Sequence, residues 1–202
     1  MTRGAGSASS IGVLLTPGAG TGADHPSLVA IGAHLAATKA SIPVRRMDFP
    51  YRLAGRRAPD RALVLIDAVR AGASSFADDL GIAPAKLVLG GRSMGGRMCS
   101  MAIAGGLPAL GLVCICYPLH PPGKPERLRI EHLPDITVPC LFVSGTRDAF
   151  GTPDELRAHT SVIPAEVEHH WIDGAGHDLK GHDQRIAEVI SAWVVALVRP
   201  LR

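Results

Sequence analysis

Strand-like and helix-like segments alternate from one end of this chain to the other, and that rhythm constrains the fold more than any single motif. Apolar, β-prone runs predict strands at residues 11–15, 44–49, 86–90, 110–117, 139–144 and 166–172. Between them the apolar residues fall at helical spacing. A helix opens near Pro26 with Leu28, Ile31 and Leu35 on one face, and residues 60–79 turn Leu65, Val69 and Phe76 inward. A third helix follows Ser93 with a stripe of Met94, Met98, Met101 and Ala102, and another follows Pro153. The last, at residues 183–198, aligns Ile186, Val189, Ile190, Trp193, Val194 and Leu197. Parallel strands need crossover connections, so strands alternating with amphipathic helices imply a sheet covered on both faces. The expectation is an α/β, doubly wound, mostly parallel six-stranded sheet in one domain over residues 1–202. Segment 121–136 is the place for a lid and is too short for a large cap domain.

Chemistry in such a sheet gathers at the carboxyl ends of strands. The third strand exits through Leu87-Val88-Leu89-Gly90-Gly91-Arg92-Ser93-Met94-Gly95-Gly96, an apolar run that ends in Gly-x-Ser-x-Gly and turns directly into helix-compatible sequence. A serine on a sharp strand-to-helix turn has strained backbone angles, and residues two positions away collide unless they lack side chains, which Gly91 and Gly95 satisfy. A serine hydroxyl is a weak nucleophile that needs a base, and the base needs an acid to orient it. The fifth strand exits into Ser144-Gly145-Thr146-Arg147-Asp148, and the sixth into Asp173-Gly174-Ala175-Gly176-His177. Asp148 and His177 are therefore the candidate acid and base. Asp154, near a helix start, and Asp173, close to His177 in sequence, compete for the acid position.

The loop Thr16-Pro17-Gly18-Ala19-Gly20-Thr21-Gly22 after the first strand supplies what remains. A tetrahedral intermediate needs two backbone N–H donors, and Ala19 and Met94 are the expected pair. The same loop contains Gly18-x-Gly20-x-x-Ala23, a dinucleotide-type pattern, but Asp24-His25-Pro26 places the helix start several residues after the glycines, where a pyrophosphate gains little from it.

Composition narrows the partners. The net charge is +3, yet lysine occurs only at 39, 86, 124 and 180 and no basic run is interleaved with aromatic rings, which argues against nucleic-acid binding. Residues 107–119 form the longest apolar stretch and are broken by Pro108, Gly111 and Pro118, which argues against a membrane span. Residues 1–7 carry a charge without an apolar core, so the chain is expected to be cytoplasmic and not secreted. The four cysteines lack metal spacing. Cys114 and Cys116 are expected to share a strand face as small core residues, and His177, His182 and Asp183 have no recognised ligand pattern. No metal or cofactor is called for, and nothing in the sequence speaks to oligomeric state. Arg92, Arg56 and Arg57 are candidate contacts for an anionic substrate. The plainer reading makes Arg92 and Arg97 structural ion pairs and the rest a solvated face.

With these residues in view the chain resembles the α/β-hydrolase superfamily from end to end. It resembles most a small capless branch that includes dienelactone-hydrolase-like bacterial proteins and relatives of a subunit of the non-specific-lethal chromatin complex. The resemblance rests on Leu14-Leu15-Thr16-Pro17-Gly18-Ala19-Gly20, Asp48-Phe49-Pro50-Tyr51-Arg52, Gly55-Arg56-Arg57, Gly90-Gly91-Arg92-Ser93-Met94-Gly95-Gly96-Arg97, Gly145-Thr146-Arg147-Asp148 and Gly174-Ala175-Gly176-His177. It implies a Ser93-His177-Asp148 triad, an oxyanion hole at Ala19 and Met94, and hydrolysis of an ester or related acyl bond in a small molecule. The branch usually has histidine where Pro17 stands. The chromatin-complex relatives imply a second class, a hydrolase-fold scaffold that binds protein.

Overall fold

The computed structural model describes residues 11–198. Six strands, β1 (Gly12–Thr16), β2 (Val44–Arg46), β3 (Leu87–Arg92), β4 (Gly111–Ile115), β5 (Cys140–Gly145) and β6 (Val167–Ile172), form one sheet in the order β2-β1-β3-β4-β5-β6, and every neighbouring pair is parallel. The helices are α1 (Pro26–Ala36), α2 (Pro50–Leu53), α3 (Ala62–Leu80), α4 (Met94–Ala104), α5 (Pro153–Thr160) and α6 (Asp183–Leu197).

The strands read as continuous apolar runs because both sheet faces are covered. Leu14, Leu89, Leu112, Cys114 and Phe142 pack with Leu65, Val69 and Phe76 of α3 and Met98 and Ala102 of α4. Their strand neighbours Val13, Leu15, Val88, Val113, Ile115 and Val143 point the other way, against Leu28, Ile31 and Leu35 of α1 and Ile186, Ile190 and Trp193 of α6. Two cores thus share one sheet, each reading alternate residues of the same strands.

The strand order also fixes where ligands fit. From β1 the chain moves outward to β2, then crosses back past β1 to β3 and proceeds the other way to β6. The connections leaving β1 and β3 diverge there, which opens a crevice beyond the carboxyl ends of those strands. The glycine loop follows β1, and Ser93 follows β3.

Three departures from the sequence reading have physical causes. The second strand stops at Arg46 instead of running to 49, because it is a sheet edge and the chain turns at Phe49 into α2. At four residues, α2 is too short to show periodicity, and Pro50 at its first turn is its one signal. Cys114 and Cys116 do not share a face: β4 ends at Ile115, and Cys116 turns to φ 52° and joins the opposite core. All four cysteines are free and buried. The segment 121–136 carries one turn of 3-10 helix (Leu133–Asp135) and no cap domain. Among the described residues no helix is long and apolar enough to cross a membrane. The leader reading at residues 1–7 lies outside the described residues.

Candidate active site

Ser93 stands alone between the end of β3 and the start of α4, with φ 47° and ψ −114°. A non-glycine residue held there costs on the order of 1–3 kcal/mol, so the surroundings must impose it. They do: the Ser93 amide donates to Ile115 O at 2.7 Å, and the backbone of β1 presses on the turn from the other side. A methyl group on Gly91 or Gly95 would overlap Thr16, and one on Gly96 would lie 2.7 Å from Gly91 O. The glycine spacing of the motif therefore lets the first strand and the serine turn come into contact.

The loops after β5 and β6 are fastened together before they reach the serine. Arg147 N donates to Ala175 O at 2.9 Å, Thr146 Oγ1 meets Asp173 at 3.1 Å, and Gly174 N donates to Thr146 Oγ1 at 2.8 Å. The pairing aims His177 at the turn. His177 Nε2 lies 2.9 Å from Ser93 Oγ, while its Nδ1 lies 2.9 and 2.8 Å from Asp148 Oδ1 and Oδ2. A carboxylate only accepts, so Nδ1 carries the hydrogen and Nε2 is left to accept from the serine hydroxyl. Asp148 is 2 % exposed, and its Oδ1 also accepts the Phe150 amide at 2.8 Å. The Phe150 ring stacks on His177 with centroids 4.0 Å apart. Arg92 Nη2 donates to the carbonyls of His177 (3.2 Å) and Asp178 (2.9 Å), bracing the imidazole loop from β3.

The competing acids are elsewhere. Asp154 pairs with Arg157 at 3.2 Å on the exposed first turn of α5, and Asp173 is engaged by Thr146. The fourth member of the cluster is one that sequence reasoning missed: the Cys116 sulfur lies with the Asp148 and His177 ligand atoms, all within 4.8 Å of one another. Burial, and then the negative charge of Asp148, push this thiol up to about 12. It is protonated at neutral pH, which suits it poorly to nucleophile or metal-ligand duty.

A family model described as an alpha/beta hydrolase domain matches residues 9–194. The chain belongs to the α/β-hydrolase family. Among solved structures of the same fold, a dienelactone hydrolase from Anabaena variabilis superposes with a TM-score of 0.73 at 16% identity, covering 94% of this chain and 88% of that one. Est1E from Butyrivibrio proteoclasticus gives 0.73 at 12% identity over 94% and 89% of the two chains. An alpha-beta serine hydrolase homologue from Coxiella burnetii gives 0.70 at 16% identity over 98% and 89%.

In this α/β-hydrolase chain a cavity of about 620 Å³ opens over Ser93. Ala19 and Met94 both line it, and among the described residues neither amide N–H has an acceptor in the chain. The glycine loop is shaped by Thr21, whose hydroxyl accepts from Gly18 N at 3.1 Å, and by Tyr51, whose hydroxyl donates to Ala19 O at 2.8 Å. Pro17, where the resemblance led one to expect histidine, is buried with its carbonyl against Gly95.

Of the three arginines the sequence offered as substrate contacts, Arg92 lines the cavity and Arg56 and Arg57 do not. Arg56 pairs with Asp60 at 2.7 Å on the surface and Arg57 is exposed; neither lines the cavity. Arg92 and Arg97 do line it, and among the described residues neither forms an ion pair. Arg129, His25 and Phe150 complete its polar and aromatic wall. Phe150 had a signal, two residues beyond Asp148 in the same loop. Arg97, four residues after Ser93 on a helix, had another; Arg129 had none.

Proposed function

We propose that this α/β-hydrolase chain is a serine acyl hydrolase that cleaves an ester or related acyl bond in a small molecule. The observation that carries the reading is the continuous relay from Ser93 Oγ through the His177 ring to Asp148, with contacts of 2.9 and 2.8 Å. Ser93 Oγ attacks the acyl carbon while its proton passes to His177 Nε2. Asp148 holds the tautomer and stabilises the imidazolium. The carbonyl oxygen, now an oxyanion, is met by the Ala19 and Met94 amides, one at the start of a helix and one in the glycine loop. Collapse breaks the bond to the leaving group, which takes the proton from His177. Water then adds to the acyl-enzyme with His177 as base; the acid departs, and the proton returns to Ser93 Oγ.

The fold supports this reading, because Ser93 and the Ala19 loop flank the switch point of the sheet. The named neighbours, a dienelactone hydrolase among them, lend the same direction at low identity. The test is hydrolysis of p-nitrophenyl butyrate by wild type, Ser93→Ala and His177→Ala. Wild type should turn over and both variants should fall by about 10³-fold or more. Equal rates in all three would leave the scaffold class as the better account.

A further inference from the structure

Among the described residues, three guanidinium groups in the cavity over Ser93, those of Arg92, Arg97 and Arg129, have no counter-ion. Arg97 leaves α4 one turn beyond the serine, its amide donating to Ser93 O at 3.1 Å. Among the described residues its side chain makes no ion pair or hydrogen bond, and its Nε is buried without a partner. Arg129 reaches the same cavity from the segment after β4, held by Tyr117, whose hydroxyl donates to Arg129 O at 2.7 Å. Its guanidinium donates to one carbonyl, Pro118 O, at 3.3 Å. Arg97 and Arg129 thus line one cavity from two different elements, and burial and then the charge of Arg97 hold Arg129 below its usual range.

The rest of the wall continues the pattern. Arg92 is 6 % exposed, and its Nη1 is buried with no partner. His25 Nδ1 accepts the Ser27 amide at 3.3 Å, which leaves its Nε2 as a donor. Asp178 is the one carboxylate of the wall beside the serine; it is exposed and accepts the Lys180 amide at 3.3 Å. Burying cations and N–H groups without partners is costly, and in folded proteins such groups are paired. A charged oxygen acid is the partner that guanidinium forks lining one cavity fit.

Resting on the acyl-hydrolase reading, we propose that Arg97 and Arg129 form an anion subsite, so that the preferred substrate is an ester or thioester that also carries a carboxylate or phosphate group. The anion seats between the two guanidinium groups while the scissile carbonyl lies over Ser93. Arg92 adds positive potential at the back of the cavity.

Two arms test it. The first compares kcat/KM for mono-p-nitrophenyl adipate and p-nitrophenyl hexanoate, which have acyl chains of equal length and differ by one charge, with the uncatalysed rates subtracted. Wild type should prefer the anionic ester by about tenfold or more, Arg97→Gln and Arg129→Gln should each reduce that ratio to about twofold, and Arg97→Lys should restore part of it. A ratio near one in wild type, or a ratio unchanged in both glutamine variants, overturns the subsite. The second arm needs no turnover: calorimetric titration of Ser93→Ala with adipate, and separately with inorganic phosphate. Binding of either that is lost in Ser93→Ala/Arg97→Gln supports the subsite, and the anion that binds identifies the group it takes. Binding of neither overturns it. Anion binding without hydrolysis of any ester would leave the subsite standing and overturn the acyl-hydrolase reading, so the two failures are distinguishable.

Discussion

The hydroxyl of Tyr51, at the start of a four-residue helix beside the sheet edge, donates to the carbonyl of Ala19 at 2.8 Å across 32 residues of sequence. The bond fixes the peptide plane that follows Ala19 and steadies the loop whose amide is assigned to the oxyanion. Tyr51→Phe keeps the packed ring and removes only the bond. We expect kcat/KM on p-nitrophenyl butyrate to fall by roughly three- to thirtyfold, because small misplacements at a reacting centre are expensive. The melting temperature should fall by only about 2–4 °C, as loss of one ordinary hydrogen bond implies.

Gly91 and Gly20 predict opposite responses to the same substitution. A methyl group on Gly91 meets Thr16 backbone, which cannot yield without moving β1, whereas one on Gly20 meets nothing within 4 Å. Gly91→Ala should lower the melting temperature by about 5 °C or more, by the cost of overpacking. Gly20→Ala should leave it unchanged or raise it slightly by restricting the unfolded chain. Differential scanning calorimetry of the pair checks both.

Asp148 and Asp154 are six residues apart, and both follow β5. Only Asp148 touches His177. Asp148→Asn removes the charge behind the imidazole and reverses the tautomer preference, so kcat should drop by about 10³- to 10⁴-fold. Asp154→Asn removes an exposed pair with Arg157 and should stay within about twofold of wild type. Steady-state kinetics on one ester separate the two assignments.

His132 provides a stability test at acid pH. Its Nε2 donates to the buried Ser100 hydroxyl at 2.7 Å, and burial, followed by the charge of Arg97, pushes its pKa down to about 4 from the usual 6.5. The unfolded chain therefore binds a proton between pH 6.5 and 4 that the folded chain does not, and stability falls as pH falls through that window. Thermal melts should decline from pH 7 to 4.5 in wild type. His132→Gln retains a donor without a titrating ring and should flatten part of that decline.

The sequence made most of the fold and the centre of the site legible, for local reasons. Each strand exit carries its own mark: glycines around Ser93, a Gly-Thr-Arg-Asp loop, and a Gly-Ala-Gly-His loop. Because parallel strands place their exits at one end, reading the exits was enough to gather residues that are 84 and 29 positions apart. What escaped depends on through-space geometry. Cys116 entered the site because β4 stops one residue before it, a boundary that apolar sequence continues straight through. Arg97 and Arg129 line one cavity only because the segment after β4 folds back over α4, whereas Arg56 and Arg57, which looked equally basic, turn to solvent. Tyr51 reads as a core aromatic, and nothing local marks its hydroxyl as a loop support.

The most direct measurement is reaction with a fluorophosphonate followed by mass spectrometry of the intact chain and its peptides. The relay from Asp148 through His177 predicts one stoichiometric adduct on Ser93, formed quickly near neutral pH, abolished in Ser93→Ala and slowed by about 10³-fold or more in His177→Ala. A wild-type chain that stays unmodified under conditions that label a known serine esterase, or that labels equally well without Ser93 or His177, would contradict the assignment of Ser93 as the nucleophile.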